Sequence, residues 1–217
     1  MLERIYYRLH RLFSRPQERG EYSSGVWQDN IRGAALRLIS GRTGQLLEVG
    51  CGEGLFLAQA AKADPGMELW GVDNSSIRIG SAKKRLPGKN IHLSVEDAVR
   101  LPFANRSFDQ VVCINVFFNM PSGEIVRKTL SQMKRVAKDD ARLVFDFRNA
   151  DNLLLALKYK FAPLYDHTVR DLPLKTYSIS RIRQMLDEAG LEMVSLHYPG
   201  ARCRLWAPVI MIEAKKK

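Results

Sequence analysis

The stretch LLEVGCGEGLFLAQA, from Leu46 to Ala60, decides the fold. It begins with mostly apolar residues, continues through Gly50, Gly52 and Gly54 at alternate positions, and ends in residues that favour helices. This order predicts a buried strand that turns directly into a helix. Since one glycine usually suffices for a sharp turn, three of them indicate a loop against which a ligand lies directly.

From Gln45 onward, apolar strands alternate with helices. Strands are predicted near 45–49, 68–72, 90–95, 108–115 and 141–147. Helices are predicted near 26–40, 54–63, 75–86, 122–138, 151–160 and 178–189, with a short one after Ala98. The alternation is typical of a parallel sheet with helices on both faces. Two last strands, near 191–198 and 204–213, are joined by Pro199–Gly200, which is too short for a helical crossover and predicts an antiparallel pair.

The glycine loop favours a positively charged ligand. Its G-x-G-x-G spacing differs from the G-x-G-x-x-G of dinucleotide sites. Glu48 ends the preceding strand and Glu53 lies inside the loop. Two carboxylates would repel a diphosphate, but they tolerate a ligand that carries an amino group.

The next three strands end in polar residues suited to a nucleoside. Asp73 ends ELWGVD, 19 positions after the last glycine of the loop, where a carboxylate can accept from both ribose hydroxyls. With Asn74 and two serines following, the alternative for Asp73 is a helix cap. Asp97 is placed to accept from an adenine amino group, with the backbone of Ala98 as companion, and Asn115 lies beside the reacting end of the ligand.

These ordered signals resemble class I S-adenosylmethionine-dependent methyltransferases, particularly the small single-domain enzymes that modify metabolites. The resemblance rests on LLEVGCGEG, LWGVDNS, EDAVRLPF, SFDQVVCINVFFNM and the late hairpin ending VIMIEAKKK. It implies an α/β fold with a Rossmann-like, doubly wound sheet of seven strands in the order 3-2-1-4-5-7-6. In that sheet the seventh strand is antiparallel and the others are parallel.

The resemblance also implies S-adenosylmethionine as the cofactor and assigns its contacts. The cofactor-binding residues are then Glu48, Gly50, Cys51, Gly52, Gly54, Asp73, Asn74, Asp97, Ala98 and Asn115. Two features depart from the family. AKDDARLVFDF replaces a proline-glycine-glycine turn before the fifth strand, and Asn119 stands where a histidine is frequent. The second departure leaves the substrate side less predictable.

The methyl acceptor is expected to be a small molecule that is hydrophobic or anionic, such as a lipid, a quinone precursor or a glycan intermediate. Substrate choice should depend on residues 150–177 and on the first forty residues, because long connections at the carboxyl edge of a sheet form pockets. Methyl transfer from a sulfonium needs mainly alignment of the nucleophile. If a hydroxyl acceptor uses a base, His167 is the candidate, and a surface-loop residue is the alternative.

The N-terminal region is predicted to be a helical lid or extension, residues 1–44, before a cofactor-binding domain, residues 45–217. Within residues 1–15, apolar positions at helical spacing lie beside a stripe of arginines. Such a helix can pack on the body of the protein, attach to an anionic membrane surface or bind a partner helix. No stretch is long and apolar enough to predict a spanning helix.

Charge and cysteine content limit the remaining alternatives. The net charge of +11 suits an anionic partner. An RNA methyltransferase therefore stays open, although no RNA-binding module is recognisable. A noncatalytic scaffold that binds the cofactor is the third possibility. Three cysteines without metal-ligand spacing predict neither a disulfide framework nor a metal site, and favour the cytoplasm. The sequence leaves the oligomeric state open.

Overall fold

Alternating strands and helices form a seven-stranded sheet in the computed structural model, which describes residues 26–88, 90–165 and 172–217. The strands are β1 (Gln45–Val49), β2 (Glu68–Asp73), β3 (Ile91–Val95), β4 (Phe108–Cys113), β5 (Ala137–Arg148), β6 (Leu191–His197) and β7 (Val209–Lys216). The helices are α1 (Val26–Ile39), α2 (Leu55–Ala63), α3 (Ser76–Arg85), α4 (Gly123–Val136), α5 (Leu153–Tyr165) and α6 (Ile179–Ala189). The predicted helix over residues 1–15 and the candidate base His167 lie outside the described residues.

The strand order is β3-β2-β1-β4-β5-β7-β6, which confirms the predicted topology. Strands β1 to β5 pair in parallel, and β7 pairs antiparallel with both β5 and β6. The order reverses between β1 and its neighbours β2 and β4, so a crevice opens at the carboxyl ends of these strands.

Two apolar layers cover the two faces of the sheet. Adjacent residues of β1 serve both, because successive side chains of a strand point to opposite faces. Leu46 packs with Ile31 of α1 and Phe56 of α2 on one face, whereas Leu47 packs with Leu130 of α4 and Ile182 of α6 on the other. All six side chains are at most 1% exposed, so the crevice is built on a rigid support.

The short helix predicted after Ala98 is wrong. The chain makes a turn there, in which Asp97 Oδ1 accepts from the backbone N–H of Val99 at 3.0 Å and the Asp97 carbonyl accepts from Arg100 at 2.9 Å. An aspartate that bonds the backbone two residues later competes with helix formation.

The last strand was also predicted too early. The antiparallel pairing is confirmed, but β7 begins at Val209 and the connection after β6 is correspondingly longer than Pro199–Gly200. The cause is a side chain from elsewhere in the fold. Asn149 Nδ2 donates to the carbonyl oxygens of Arg204 and Ala207, both at 2.8 Å. These carbonyls therefore stabilise a loop instead of pairing with a neighbouring strand.

Within the part of the chain that the structure describes, no helix has the length and apolar character required to cross a membrane.

Candidate active site

The glycine loop after β1 is tied to the neighbouring strand. The backbone N–H groups of Gly50 and Cys51 both donate to the carbonyl oxygen of Val72, at 2.7 and 2.9 Å. Gly50 has φ +77°, and a Cβ there would lie 2.3 Å from Val116. Gly52 has φ +51°, but a Cβ there would meet no atom within 4 Å. The backbone at Gly52 therefore faces open space that a ligand can fill.

Gly54 has a different role from the other two glycines. It precedes α2 with φ +74°, and a Cβ there would lie 2.6 Å from Leu86 and 3.2 Å from Ala82. Its lack of a side chain lets α2 approach the end of α3. The structure does not bring Gly54 to the wall of the cavity described below, so it supports the loop from behind.

Asp73, at the end of β2, fixes the geometry of the loop. Its Oδ2 accepts from the N–H of Gly52 at 2.9 Å, and its Oδ1 accepts from the N–H of Ser75 at 3.0 Å. The cap of α3 is Ser75, whose hydroxyl oxygen accepts from the N–H of Arg78. A carboxylate has about four acceptor positions, so these two bonds leave Asp73 able to accept from a ligand.

Glu48 is a buried carboxyl group at the floor of the crevice. Burial raises the pKa of Glu48 well above its usual value, the negative charge of Asp73 raises it further, and nearby Arg32 lowers it. Among the described residues, Glu48 Oε2 has no hydrogen-bond partner. An orphaned buried oxygen of this kind is costly unless a ligand satisfies it.

Sequence reasoning missed Arg32 of α1. Its side chain is 3% exposed and its guanidinium bonds Asp29, whereas its Nε has no partner within the described ranges. The signal was available, because Arg32 shares a helix face with Ala35 and Ile39 at spacings of three and seven, and both are buried. Arg32 thus supplies a buried positive charge beside Glu48.

Asp97 and Ala98 line the opposite side of the crevice. Asp97 is exposed, and only its Oδ1 is used in the turn with Val99. Ala98, Val116 and Ile125 each pack against the edge of the core and line the cavity. This side of the crevice therefore combines apolar side chains with the carboxylates of Glu96 and Asp97, and suits a flat heterocycle that carries an amino group.

Asn115 is held by a buried polar network that sequence reasoning also missed. Its backbone N–H donates to Asp146 Oδ1 at 2.5 Å, and its Oδ1 accepts from Arg148 Nη2 at 2.8 Å. Arg148 also donates to Asp146 Oδ2 at 2.7 Å and to the Tyr159 hydroxyl at 3.0 Å, and its guanidinium lies 4.1 Å from the ring centre of Phe118.

This network determines what Asn115 offers to a ligand. Asn115 has φ +59°, a conformation unusual for a residue other than glycine, and the bond to Asp146 compensates for it. Because a guanidinium can only donate, the Asn115 oxygen faces Arg148 and the amide NH₂ is left to donate elsewhere. Burial raises the pKa of Asp146 although Arg148 lowers it.

These groups surround one cavity of about 280 Å³ at the carboxyl ends of β1 to β4. Cavities that bind small molecules span about 300–1,000 Å³. Its wall includes every predicted cofactor-binding residue except Gly54: Glu48, Gly50, Cys51, Gly52, Asp73, Asn74, Asp97, Ala98 and Asn115. The Cys51 Sγ is so close to β2 that a Cβ at Gly71 would lie 2.9 Å from it. Burial raises the pKa of the Cys51 thiol. Cys51 therefore meets the cavity as an unreactive residue.

The described histidines do not reach this cavity. His92 of β3 stacks on Trp70 with 4.1 Å between ring centres, and its Nε2 is 3.1 Å from Glu68 Oε1. His197 lies on the edge strand β6, with Nε2 2.8 Å from the Ser195 hydroxyl. Both have structural roles, so the hypothesis of a histidine base depends on residues outside the described ranges.

Comparisons with known proteins agree with this fold. Residues 46–140 match the family model of the methyltransferase domain. A demethylmenaquinone methyltransferase of Lactobacillus johnsonii is 27% identical over 191 residues, covering 79% of this chain and 75% of that protein. A protein of the same name from Thermotoga maritima is 35% identical over 100 residues, or 46% of this chain and 42% of that protein. Magnesium protoporphyrin IX methyltransferase from Synechocystis, solved with bound SAH, has a TM-score of 0.68 at 19% identity, covering 100% of this chain and 96% of that one.

The fold and the site define a class I methyltransferase, with the glycine loop at the point where the strand order reverses. Residues 46–140 match the methyltransferase domain, and the fold is that of the solved S-adenosylmethionine-dependent methyltransferases to which the chain is similar.

Proposed function

We propose that this chain transfers a methyl group from S-adenosylmethionine to an apolar small molecule of the quinone-precursor class. The observation that carries the proposal is the cavity, which combines an open backbone floor at Gly52 with a buried carboxyl oxygen of Glu48 that has no partner among the described residues. Similarity to demethylmenaquinone methyltransferases over 79% of the chain favours the acceptor class. Three free cysteines, two of them buried, are consistent with work in the reducing cytoplasm.

The cavity residues match the parts of the cofactor one by one. Glu48 accepts from the amino group, and the free Nε of the buried Arg32 donates to the carboxylate of the amino-acid portion. Asp73 accepts from the ribose hydroxyls through the acceptor positions that its loop contacts leave. The apolar wall at Ala98 and Val116 packs against the adenine, and Asp97 accepts from the exocyclic amine.

The bound cofactor supplies an activated methyl group, so the chain's residues mainly align the acceptor and exclude water. Alignment of two reactants lowers the barrier by roughly 7–11 kcal/mol in favourable cases. Asn115 performs this alignment, because its fixed NH₂ group donates to an oxygen of the acceptor ring. The proposed acceptor thus carries a hydroxyl or carbonyl oxygen next to the atom that is methylated.

The carboxyl group of Glu48 gives a pH-dependent prediction about stability. Its pKa is raised in the folded state, so the folded protein binds more protons than the unfolded chain between the two pKa values. Stability without cofactor therefore falls as pH rises through that range, by about 1.4 kcal/mol per pH unit for one group. Glu48→Gln removes this loss, and its advantage over the wild type in thermal unfolding should grow with pH.

The same substitution should weaken cofactor binding about tenfold or more at neutral pH, because glutamine cannot lose a proton to become a charged acceptor when an ammonium group binds. Thermal unfolding without cofactor and calorimetric titration with it, both across the pH range, measure the two effects. A stability difference between Glu48→Gln and the wild type that does not change with pH would contradict the role given to Glu48.

A labelled-methyl assay tests the acceptor class. Purified protein is incubated with methyl-labelled S-adenosylmethionine in three parallel reactions. One contains a water-soluble dihydroxynaphthalene, one contains bulk RNA and one contains no acceptor. Label is expected in the dihydroxynaphthalene alone. Transfer to RNA would instead support the RNA methyltransferase alternative, and cofactor binding without transfer to either acceptor would contradict the proposal.

A further inference from the structure

Helix α5 (Leu153–Tyr165) presents an apolar face to solvent. Leu153, Leu154, Leu157 and Phe161 are between 48% and 76% exposed. At about 100° per residue these four side chains fall within a sector of about 100° on the helix. Leu155 and Tyr159 lie on the opposite face, where Leu155 is buried and Tyr159 accepts from Arg148. The exposed sector is thus a continuous stripe with a fixed orientation.

Lysines flank this stripe on both sides. On the same projection Lys158 lies about 40° beyond one edge, and Lys160 lies about 20° beyond the other. Lys160 Nζ is 5.8 Å from the ring centre of Phe161. Residues 153–165 contain no acidic residue. Long basic side chains beside an apolar stripe can extend to a polar boundary while the stripe enters an apolar phase.

A neighbouring loop extends the apolar surface. Leu205 and Trp206 are 65% and 67% exposed. The loop is anchored just before α5, since Asn149 Nδ2 donates to the carbonyls on both sides of this pair and Arg204 forms an ion pair with Asp151. Together with the stripe, these two residues form what we call the interfacial patch: Leu153, Leu154, Leu157, Phe161, Leu205 and Trp206.

We propose that the interfacial patch docks on an anionic lipid surface. Helices that lie in the plane of a bilayer interface carry leucine, phenylalanine and tryptophan on one face and lysines beside it. The interfacial patch has the same composition and the same flanking charges. The net charge of +11 and the absence of acidic residues from α5 complement anionic headgroups. An ordinary partner protein would not require a lysine at both margins of the stripe.

The position of α5 connects this surface to the site, a step that rests on the proposed function. Its outer face carries the patch, while Tyr159 on its inner face bonds Arg148, which orients Asn115 on the cavity wall. A lipid-soluble acceptor held in the bilayer is therefore supplied beside the reacting end of the cavity. Docking would bring the membrane to the enzyme's acceptor side and leave the α3 side in water.

Vesicle flotation of the full chain tests the docking. Vesicles of equimolar phosphatidylglycerol and phosphatidylcholine are compared with vesicles of phosphatidylcholine alone. The wild type should float with the anionic vesicles, and Leu157→Glu should reduce its partitioning at least about tenfold, because burying one leucine is worth that much or more. The matched control is Val194→Glu on β6, since Val194 is 52% exposed and Leu157 54%. The control should float like the wild type.

Several outcomes would overturn the docking proposal. The first is equal binding of the wild type to neutral and anionic vesicles. The second is binding of Leu157→Glu to anionic vesicles as strong as that of the wild type. The third is a wild-type dimer in analytical ultracentrifugation that Leu157→Glu dissociates. The assay with soluble dihydroxynaphthalene separates this proposal from the proposed function. Methylation of the soluble acceptor without vesicle binding rejects only the docking, whereas vesicle binding without methylation of any acceptor rejects the proposed function and the supply of a lipid acceptor.

Discussion

Gly52→Val is expected to abolish cofactor binding while the protein stays folded. The new side chain would occupy the open space above the loop, where the bound cofactor has to lie against the backbone. Forcing extra carbon atoms into a filled site costs about 1–3 kcal/mol, and a β-branched side chain is at the upper end of that range. We therefore expect a loss of roughly 100-fold or more in affinity, measured by calorimetric titration.

Gly41→Val is the matched control for this substitution. Gly41 has φ +79° and Gly52 φ +51°, and a Cβ at either position meets no atom within 4 Å. Both variants therefore bear a similar cost for a β-branched residue at positive φ, of about 1–3 kcal/mol. Gly41 is not part of the cavity wall, so only Gly52→Val should lose affinity. If Gly52→Val bound the cofactor like the control, the cofactor would not lie over this peptide.

Arg148→Met is expected to lower the free energy of unfolding by about 3–5 kcal/mol, because it leaves the Asp146 carboxylate buried without its counter-ion. The side chains of the pair are 4% and 1% exposed. Arg148 lowers the pKa of Asp146, so its removal raises that pKa further. Because a folded state with a raised carboxyl pKa loses stability as pH rises, the loss in Arg148→Met should increase with pH. Denaturant unfolding at several pH values measures both effects.

Two further variants isolate the cause. Asp146→Asn combined with Arg148→Met should recover much of the lost stability, because the asparagine oxygen still accepts from the Asn115 N–H and no buried charge remains. Arg127→Met removes a guanidinium that is 2.7 Å from Glu188 on the surface, and should cost less than about 1 kcal/mol. Equal losses in Arg127→Met and Arg148→Met would show that burial of the charge is not the reason.

The part of the site that sequence predicted best lies on the exits of single strands. Asp73 is the last residue of β2 and Asp97 lies two residues after β3, and the parallel topology brings those strand ends to one edge. The glycine loop was equally visible, because Gly50 and Gly52 interrupt a continuous pattern of apolar residues. Their cofactor contacts remain predictions, but their meeting at one cavity could be predicted from strand order alone.

The residues that sequence reasoning missed depend on distant partners. Arg32 lies near Glu48 because α1 packs across the sheet, and Arg148 meets Asn115 across a separation of 33 residues. A charged residue on a strand is ordinarily solvated, so nothing local distinguishes Arg148, whereas Arg32 shares the buried face of α1 with Ala35 and Ile39. The same reason explains the late start of β7, where Asn149 holds the carbonyls of a loop that the local pattern assigned to a strand.

By itself, the sequence determined the alternation of strands and helices and the antiparallel end of the sheet, because periodicity and turn residues act over a few neighbouring residues. The class of cofactor was predicted from the resemblance of the strand-end motifs to a known family. Only the tertiary structure decided that Gly54 supports α2 against α3, that Asn115 offers its NH₂ group, and that α5 turns leucines to solvent. These features depend on which side chains burial brings together and which it leaves outside. That outcome follows from the packing of the whole chain.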